Sequence, residues 1–218
     1  MKNIHLALLF AVPLLFGGCA GMPIDAALMG QLIGPHLSVS VPAEIPFPDQ
    51  MTLQLGSSAG HATQLVNQAL GALGSQSVEQ RLGSAVKNSG IPFRSMAAEA
   101  FRKQLEDAKL FGSVTHDNGN LSVALGVSRW GLAYDEASRR LLPVLDIEAS
   151  LTAPGLGVVW KASRSVNDLG ADVLGKVSAL SPAVLVSKPQ GFGDAMGIVA
   201  SELSRQLVDD LRKNPPHR

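Results

Sequence analysis

From Leu121 the chain alternates. Leu121, Val123, Leu125 and Val127 are apolar, and Ser122, Ala124, Gly126 and Ser128 between them are small or polar. A period of two is the signature of a strand with one buried face. Leu145, Ile147, Ala149 and Leu151 alternate with Asp146, Glu148 and Ser150 in the same way, and Val158, Trp160 and Ala162 continue the pattern. Turn-forming residues around 135–138 and at Pro154-Gly155 separate these runs, so they predict an antiparallel meander. Leu141-Leu142-Pro143-Val144-Leu145 is continuously apolar, and Pro143 within it favours a sheet edge. A shorter alternation, Met51-Thr52-Leu53-Gln54-Leu55, predicts one more half-buried strand.

Other segments repeat every three or four residues, as an amphipathic helix does. Leu65, Ala69 and Leu73 share one face, and so do Val78, Leu82 and Val86, with Gly74-Ser75 between the two helices. Residues 92–111 read as a helix with Phe101, Leu105 and Ala108 inward, Pro92 in its first turn and Gly112 at its stop. Asp117-Asn118-Gly119-Asn120 is a turn. Leu169, Val173, Val177 and Leu180 fit a short helix, and Val184-Leu185-Val186 a brief strand. Phe192, Met196, Val199, Leu203, Leu207 and Leu211 form the inward stripe of a long final helix that Pro215-Pro216 ends. The expected class is α+β, a two-layer sandwich of an antiparallel meander sheet packed by helices.

The N-terminal pattern differs in kind. After Lys2, residues 4–16 are apolar except for His5 and Pro13. Such a run is short for a membrane-spanning helix, which needs about 20 residues, and has the length of a secretory h-region. It ends at Leu15-Phe16-Gly17-Gly18-Cys19-Ala20, where the chain's single cysteine stands. This arrangement resembles a bacterial lipoprotein precursor, whose lipobox is cut just before a cysteine. The resemblance implies a diacylglycerol on the Cys19 sulfur and an acyl group on its freed amine. Phe16 stands where the family prefers Leu. The alternative is ordinary secretion, with Gly18-Cys19-Ala20 as a small-x-small cleavage signal. Ala20 and Gly21, where inner-membrane lipoproteins often carry Asp, imply the periplasmic face of the outer membrane.

Residues 1–18 are therefore expected to be a signal peptide. Residues 19–49, with Pro35, Pro42, Pro46 and Pro48, read as an extended tether, either disordered or carrying a short helix through Ile24, Leu28, Leu32 and Ile33. Residues 50–214 read as a single domain. Removing residues 1–18 takes away Lys2 and leaves 17 basic against 18 acidic side chains of the original 18 and 18. That balance provides no basic face for nucleic acid.

Candidate chemistry is sparse. Asp146 and Glu148, two apart on one strand, point to one face, as a cation site or a glycoside-cleaving carboxylate pair requires; a solvated face is the plainer reading. His5, His36, His61, His116 and His217 have no metal-ligand spacing. Residues 191–197 imitate a dinucleotide fingerprint but leave no room for the following strand and its acidic residue. Gly17 to Gly21 imitate a nucleophile elbow at the processing junction. Trp130, Tyr134 and Trp160 are candidate anchors for a partner, or cover the core. No cofactor is expected.

The element order over residues 50–213 resembles that of small accessory lipoproteins of Gram-negative envelopes, the YajG-type and transport-auxiliary lipoproteins among them, in topology and length. The leading expectation is a non-catalytic lipoprotein that binds another envelope protein or a lipid-like ligand beside the membrane. The alternatives are a carboxylate-dependent hydrolase of envelope polymer and a homo-oligomer built through residues 61–90, where Ala69, Gly71, Ala72 and Gly74 permit close helix approach.

Overall fold

Three long strands carry the alternation seen in the sequence. β4 (Leu121–Asp135), β5 (Arg140–Ala153) and β6 (Gly157–Ser165) form the expected antiparallel meander. The computed structural model describes residues 32–54, 64, 78–135, 140–177, 188 and 190–216. The remaining described elements are β1 (Gly34–Ser40), β2 (Thr52–Gln54), α1 (Val78–Asn88), α2 (Phe93–Ala108), β3 (Phe111–Thr115), a 3-10 turn (Val166–Asp168), α3 (Ala171–Leu174) and α4 (Gln190–Lys213).

Leu121, Val123, Leu125 and Val127 are buried on β4, facing the same layer as Leu145, Ile147, Ala149 and Leu151 of β5. Between the pairs Val127↔Ile147 and Arg129↔Asp146, Ser128 is an extra residue. This bulge shifts the phase by one, so Trp130 turns inward. β6 pairs β5 only from Asp146 to Ala153, which leaves Pro143 on a stretch of β5 that β6 does not reach. The missing N–H of Pro143 therefore breaks no ladder bond on that side.

The sheet is mixed, where an antiparallel one was expected. Its order is β3-β1-β4-β5-β6, with β2 also on β4, and β1 runs parallel to both β3 and β4. Residues 34–49, read from the sequence as tether, belong to the fold: Val39 and Val41 are wholly buried and Ile45 is 2% exposed. The segment follows β4 from Val39↔Leu121 to Thr52↔Gly131, and past β1, where β3 no longer pairs with it, it is an edge segment. Fourteen residues of the segment, 39–52, thus accompany eleven of β4, 121–131, and the excess falls between the two paired ends. Pro42, Pro46 and Pro48 do enforce extended backbone, as the sequence implied, but along β4 beyond the end of β1. Between the two paired ends, Val127 N–H donates to Pro46 O at 3.2 Å and Ile45 N–H to Arg94 O at 3.4 Å.

β3 was not foreseen. α2 stops at Ala108, where Lys109 takes a left-handed conformation (φ 52°), so Gly112 lies within β3 and does not end the helix. A Cβ on Gly112 would sit 2.0 Å from Pro35 O, so only glycine lets β1 come this close. The 117–120 turn does not make a hairpin. It carries the chain past β1, and Asn120 ties it there by accepting from Ser38 N–H at 3.0 Å and from Ser38 Oγ at 2.9 Å.

α2 and α4 pack against each other, and α4 lies over β5 and β6. The α4 stripe Phe192, Met196, Val199, Leu203, Leu207 and Leu211 is buried as the sequence period predicts. On the solvent side Arg102 bonds Glu99 and Glu106, and Arg205 bonds Glu202 and Asp209. Hydrogen bonding from Arg205 holds the Glu202 carboxyl below its usual range, and Arg102 does the same for Glu99. No helix among the described residues is long and apolar enough to cross a membrane.

One core position is at odds with its surroundings. Ser204 is wholly buried on α4 and its hydroxyl has no partner. A desolvated, unbonded hydroxyl costs about 1–3 kcal/mol. Ser204→Ala removes it and improves helix propensity. The expected result is a rise of about 2–4 °C in thermal midpoint per kcal/mol gained for a domain of this size, read by circular dichroism. A fall in midpoint would show that the hydroxyl is needed.

Candidate functional site

Four aromatic rings from distant parts of the sequence meet at one end of the domain. Phe47 comes from the edge segment, Phe93 from the first turn of α2, Trp130 from β4 beyond its bulge, and Phe192 from the first turn of α4. Ring centroids are 5.9 Å apart for Phe47–Trp130, 5.6 Å for Phe93–Trp130, 6.4 Å for Phe47–Phe93 and 5.5 Å for Phe93–Phe192. Tilted and edge-on contacts of this kind add stability beyond area burial, about 0.5–1.5 kcal/mol per pair. Trp130 Nε1 donates to Pro48 O at 2.8 Å, which pins the edge segment to β4 where the ladder is interrupted.

Phe47, Phe93 and Trp130 line a recess of about 280 Å³. One wall is the edge segment, with Glu44, Pro48 and Asp49; the other is the end of α1 and the start of α2, with Lys87, Arg94 and Ser95. Around Ile91 and Pro92, which border both, a shallower and more apolar groove of about 670 Å³ continues between α2 and α4 along Met96, Gly193 and Gly197. Gly193 packs closely there: a Cβ would lie 3.1 Å from the Ile91 side chain, which would have to give by a few tenths of an ångström.

The predicted aromatic anchors are not one surface. Trp130 and Trp160 are 4% and 6% exposed, so both belong to the core. Trp130 stands opposite Leu145 and Trp160 opposite Leu151. Six residues of strand separate these positions, about 20 Å. Trp160 is a structural post: its Nε1 donates to Asp210 Oδ2 at 3.1 Å, and Arg164 Nη2 meets Asp210 Oδ1 at 2.9 Å. Tyr134 is half-buried near the open end of the β4–β5 pair, opposite Leu141. Only Trp130 reaches the recess.

The carboxylate pair is divided between two partners. Asp146 meets Arg129 Nε at 2.7 Å, and Glu148 meets Lys161 Nζ at 3.3 Å. Neither lines any described recess. His36 on β1 and His116 just after the neighbouring β3 are both exposed, and among the described residues no group of three metal-ligating side chains occurs. Gly191, Gly193 and Gly197 lie inside α4, so the apparent dinucleotide fingerprint is helix rather than a phosphate-binding loop. Cys19, Gly17 to Gly21, the first helix of the 61–90 segment and His5, His61 and His217 lie outside the described residues.

Sequence reasoning missed the recess. Its rim residues, Glu44, Asp49, Lys87 and Arg94, look like ordinary surface charges until the edge segment is placed on β4. The one available signal was Phe47 within a run of prolines, since a large aromatic has little reason to stand in a solvated tether.

No family model and no curated protein matches the chain. Among solved structures, protein XCC0632 from Xanthomonas campestris is similar over 81% of this chain and 82% of that one, at 14% identity and a TM-score of 0.39. The PelC dodecamer from Paraburkholderia phytofirmans is similar over 82% of this chain and 95% of that one, at 12% identity and a TM-score of 0.33. A minor lipoprotein from Acinetobacter baumannii covers 79% of this chain and 99% of its own, at 11% identity and a TM-score of 0.34. These are likenesses of chain outline, too slight to carry a function from one protein to the other.

Proposed function

We propose that this is a lipid-anchored, non-catalytic accessory protein of the bacterial envelope, held through Cys19 at the periplasmic face of the outer membrane. In this reading it contacts another envelope protein or a lipid-like ligand through the Trp130 recess. The observation that carries the reading is the Leu15-to-Cys19 motif at the end of a short apolar run, where the single cysteine stands. The hydrolase alternative loses its motive, because Asp146 and Glu148 are each engaged in a separate ion pair away from any described recess. With residues 32–49 in the fold, the spacer shortens to 19–31, a reach of at most about 45 Å. β1 starts beside Phe111, just past the C-terminal end of α2, whereas Phe93 marks the recess at its N-terminal end. That helix is 16 residues long, about 24 Å. The recess therefore sits at the far end of α2 from the point where the spacer joins.

Mass spectrometry of the N-terminal peptide from isolated membranes tests the anchor. The expected peptide begins at Cys19 and carries a diacylglycerol and one further acyl chain. An unmodified thiol on Cys19, or a peptide that starts elsewhere, would overturn the reading.

A further inference from the structure

We infer that the Trp130 recess receives a small zwitterion, a molecule that carries an ammonium group and a carboxylate or phosphate a few bonds apart. The inference deepens the reading of this recess as the contact site and rests on it.

The four rim charges are sorted by wall. Glu44 and Asp49 stand on the edge segment, and Lys87 and Arg94 stand on the helical side, with the rings of Phe47, Phe93 and Trp130 among them. Among the described residues none of the four makes an ion pair or a side-chain hydrogen bond. Arginine elsewhere in the fold behaves differently: Arg102, Arg129, Arg164, Arg205 and Arg212 each have a carboxylate within 4 Å. Arg94 is the exception among arginines with a described side chain, and it lines the recess. Two acidic and two basic groups thus border one cavity without joining. An anion alone would gain Lys87 and Arg94 but stand near Glu44 and Asp49. A cation alone would meet the reverse. A zwitterion laid across the aromatic floor complements both walls, and its ammonium gains the ring faces as well. The volume of about 280 Å³ is at the small end for ligand pockets, which fits a compact solute or a lipid headgroup rather than an acyl chain.

The test uses the mature protein anchored in phosphatidylglycerol vesicles. The chain has two tryptophans, so Trp160→Phe leaves Trp130 as the sole reporter. O-phosphoethanolamine, inorganic phosphate and ethanolamine are titrated separately. The expected result is a saturable change in Trp130 emission with phosphoethanolamine. Its affinity should be about tenfold above that for either single-charge probe, as one added charge-assisted bond provides. Arg94→Gln and Glu44→Gln should each weaken it about fivefold or more, with thermal unfolding unchanged. Equal affinity for the three probes, no saturable response, or both variants binding like the parent would overturn the inference. Including phosphatidylethanolamine in the bilayer then separates the sources. Weaker apparent binding of the free probe assigns the zwitterion to a lipid headgroup, and no change assigns it to a free solute. The N-terminal mass reports on the anchor independently, so the two readings fail separately.

Discussion

Val39→Asp is expected to destabilise the domain by about 4 kcal/mol, combining lost apolar burial of about 1.5–3 kcal/mol with about 1–3 kcal/mol for an unsatisfied polar group. Val39 is wholly buried between β3 and β4, paired with Val114 on one side and Leu121 on the other. Domains of this kind are stable by only about 5–15 kcal/mol, so the loss is a large share of the total. For a chain of this size it corresponds to a drop of about 10 °C or more in the thermal midpoint. Ala43→Asp, four residues further along the same segment and exposed, should stay within about 0.5 kcal/mol of the parent. A tether would tolerate both changes alike. Circular dichroism melting of the two variants therefore decides whether residues 34–49 belong to the fold or merely lead to it, and equal midpoints would return them to the tether.

The same segment explains where the sequence was legible and where it was not. The long final helix was readable because six large apolar residues recur on one stripe of α4, and that period has no competing interpretation. The β4–β6 meander was readable because each strand is long, one-sided and bounded by turns. β1 and β3 gave no comparable signal. They are short and parallel to their neighbours, so neither is joined to its partner by a hairpin that would mark the pairing. Phe111-Gly112 also continues the apolar pattern of α2, and only the left-handed Lys109 shows where the helix ends. The prolines at 42, 46 and 48 announced extended backbone, but local chemistry cannot say whether an extended segment lies on a sheet edge or in water. Long-range contacts settle that, chiefly the Trp130 bond to Pro48.

The recess depended on that placement. Trp130 was noticed as a large amphipathic aromatic, but its orientation turns on the extra residue Ser128, which simple alternation does not reveal. Strict alternation from Val127 would have put Arg129 inward and Trp130 on the open face with Glu148 and Lys161. The bulge reverses this. Trp130 then joins Phe47 and Phe93 under the helices, and Arg129 reaches Asp146 on the other side. A one-residue change of phase thus converts a surface anchor into the floor of a cavity, and the carboxylate pair into two separate ion pairs.

Cys19→Ser is expected to abolish lipid attachment. The proposed handle comprises three acyl chains, and each buried methylene contributes about 0.8 kcal/mol. A single chain of ordinary length gives only marginal, reversible binding, whereas two or more give stable anchoring. No described helix is long and apolar enough to span a bilayer. Serine preserves the size and backbone of the position but removes the sulfur that would take the thioether. The variant should lose the lipid-linked mass, retain residues 1–18 as an uncleaved precursor, and leave its α+β domain folded, because Cys19 precedes Leu32, the first residue of the described fold, by 13 positions. Separation of membrane and soluble fractions after high-salt and carbonate washes, together with the intact mass, reads each consequence. A parent protein that is itself released by those washes would favour ordinary secretion through Gly18-Cys19-Ala20, and an unchanged mass and fractionation in the variant would leave Cys19 without a role in anchoring.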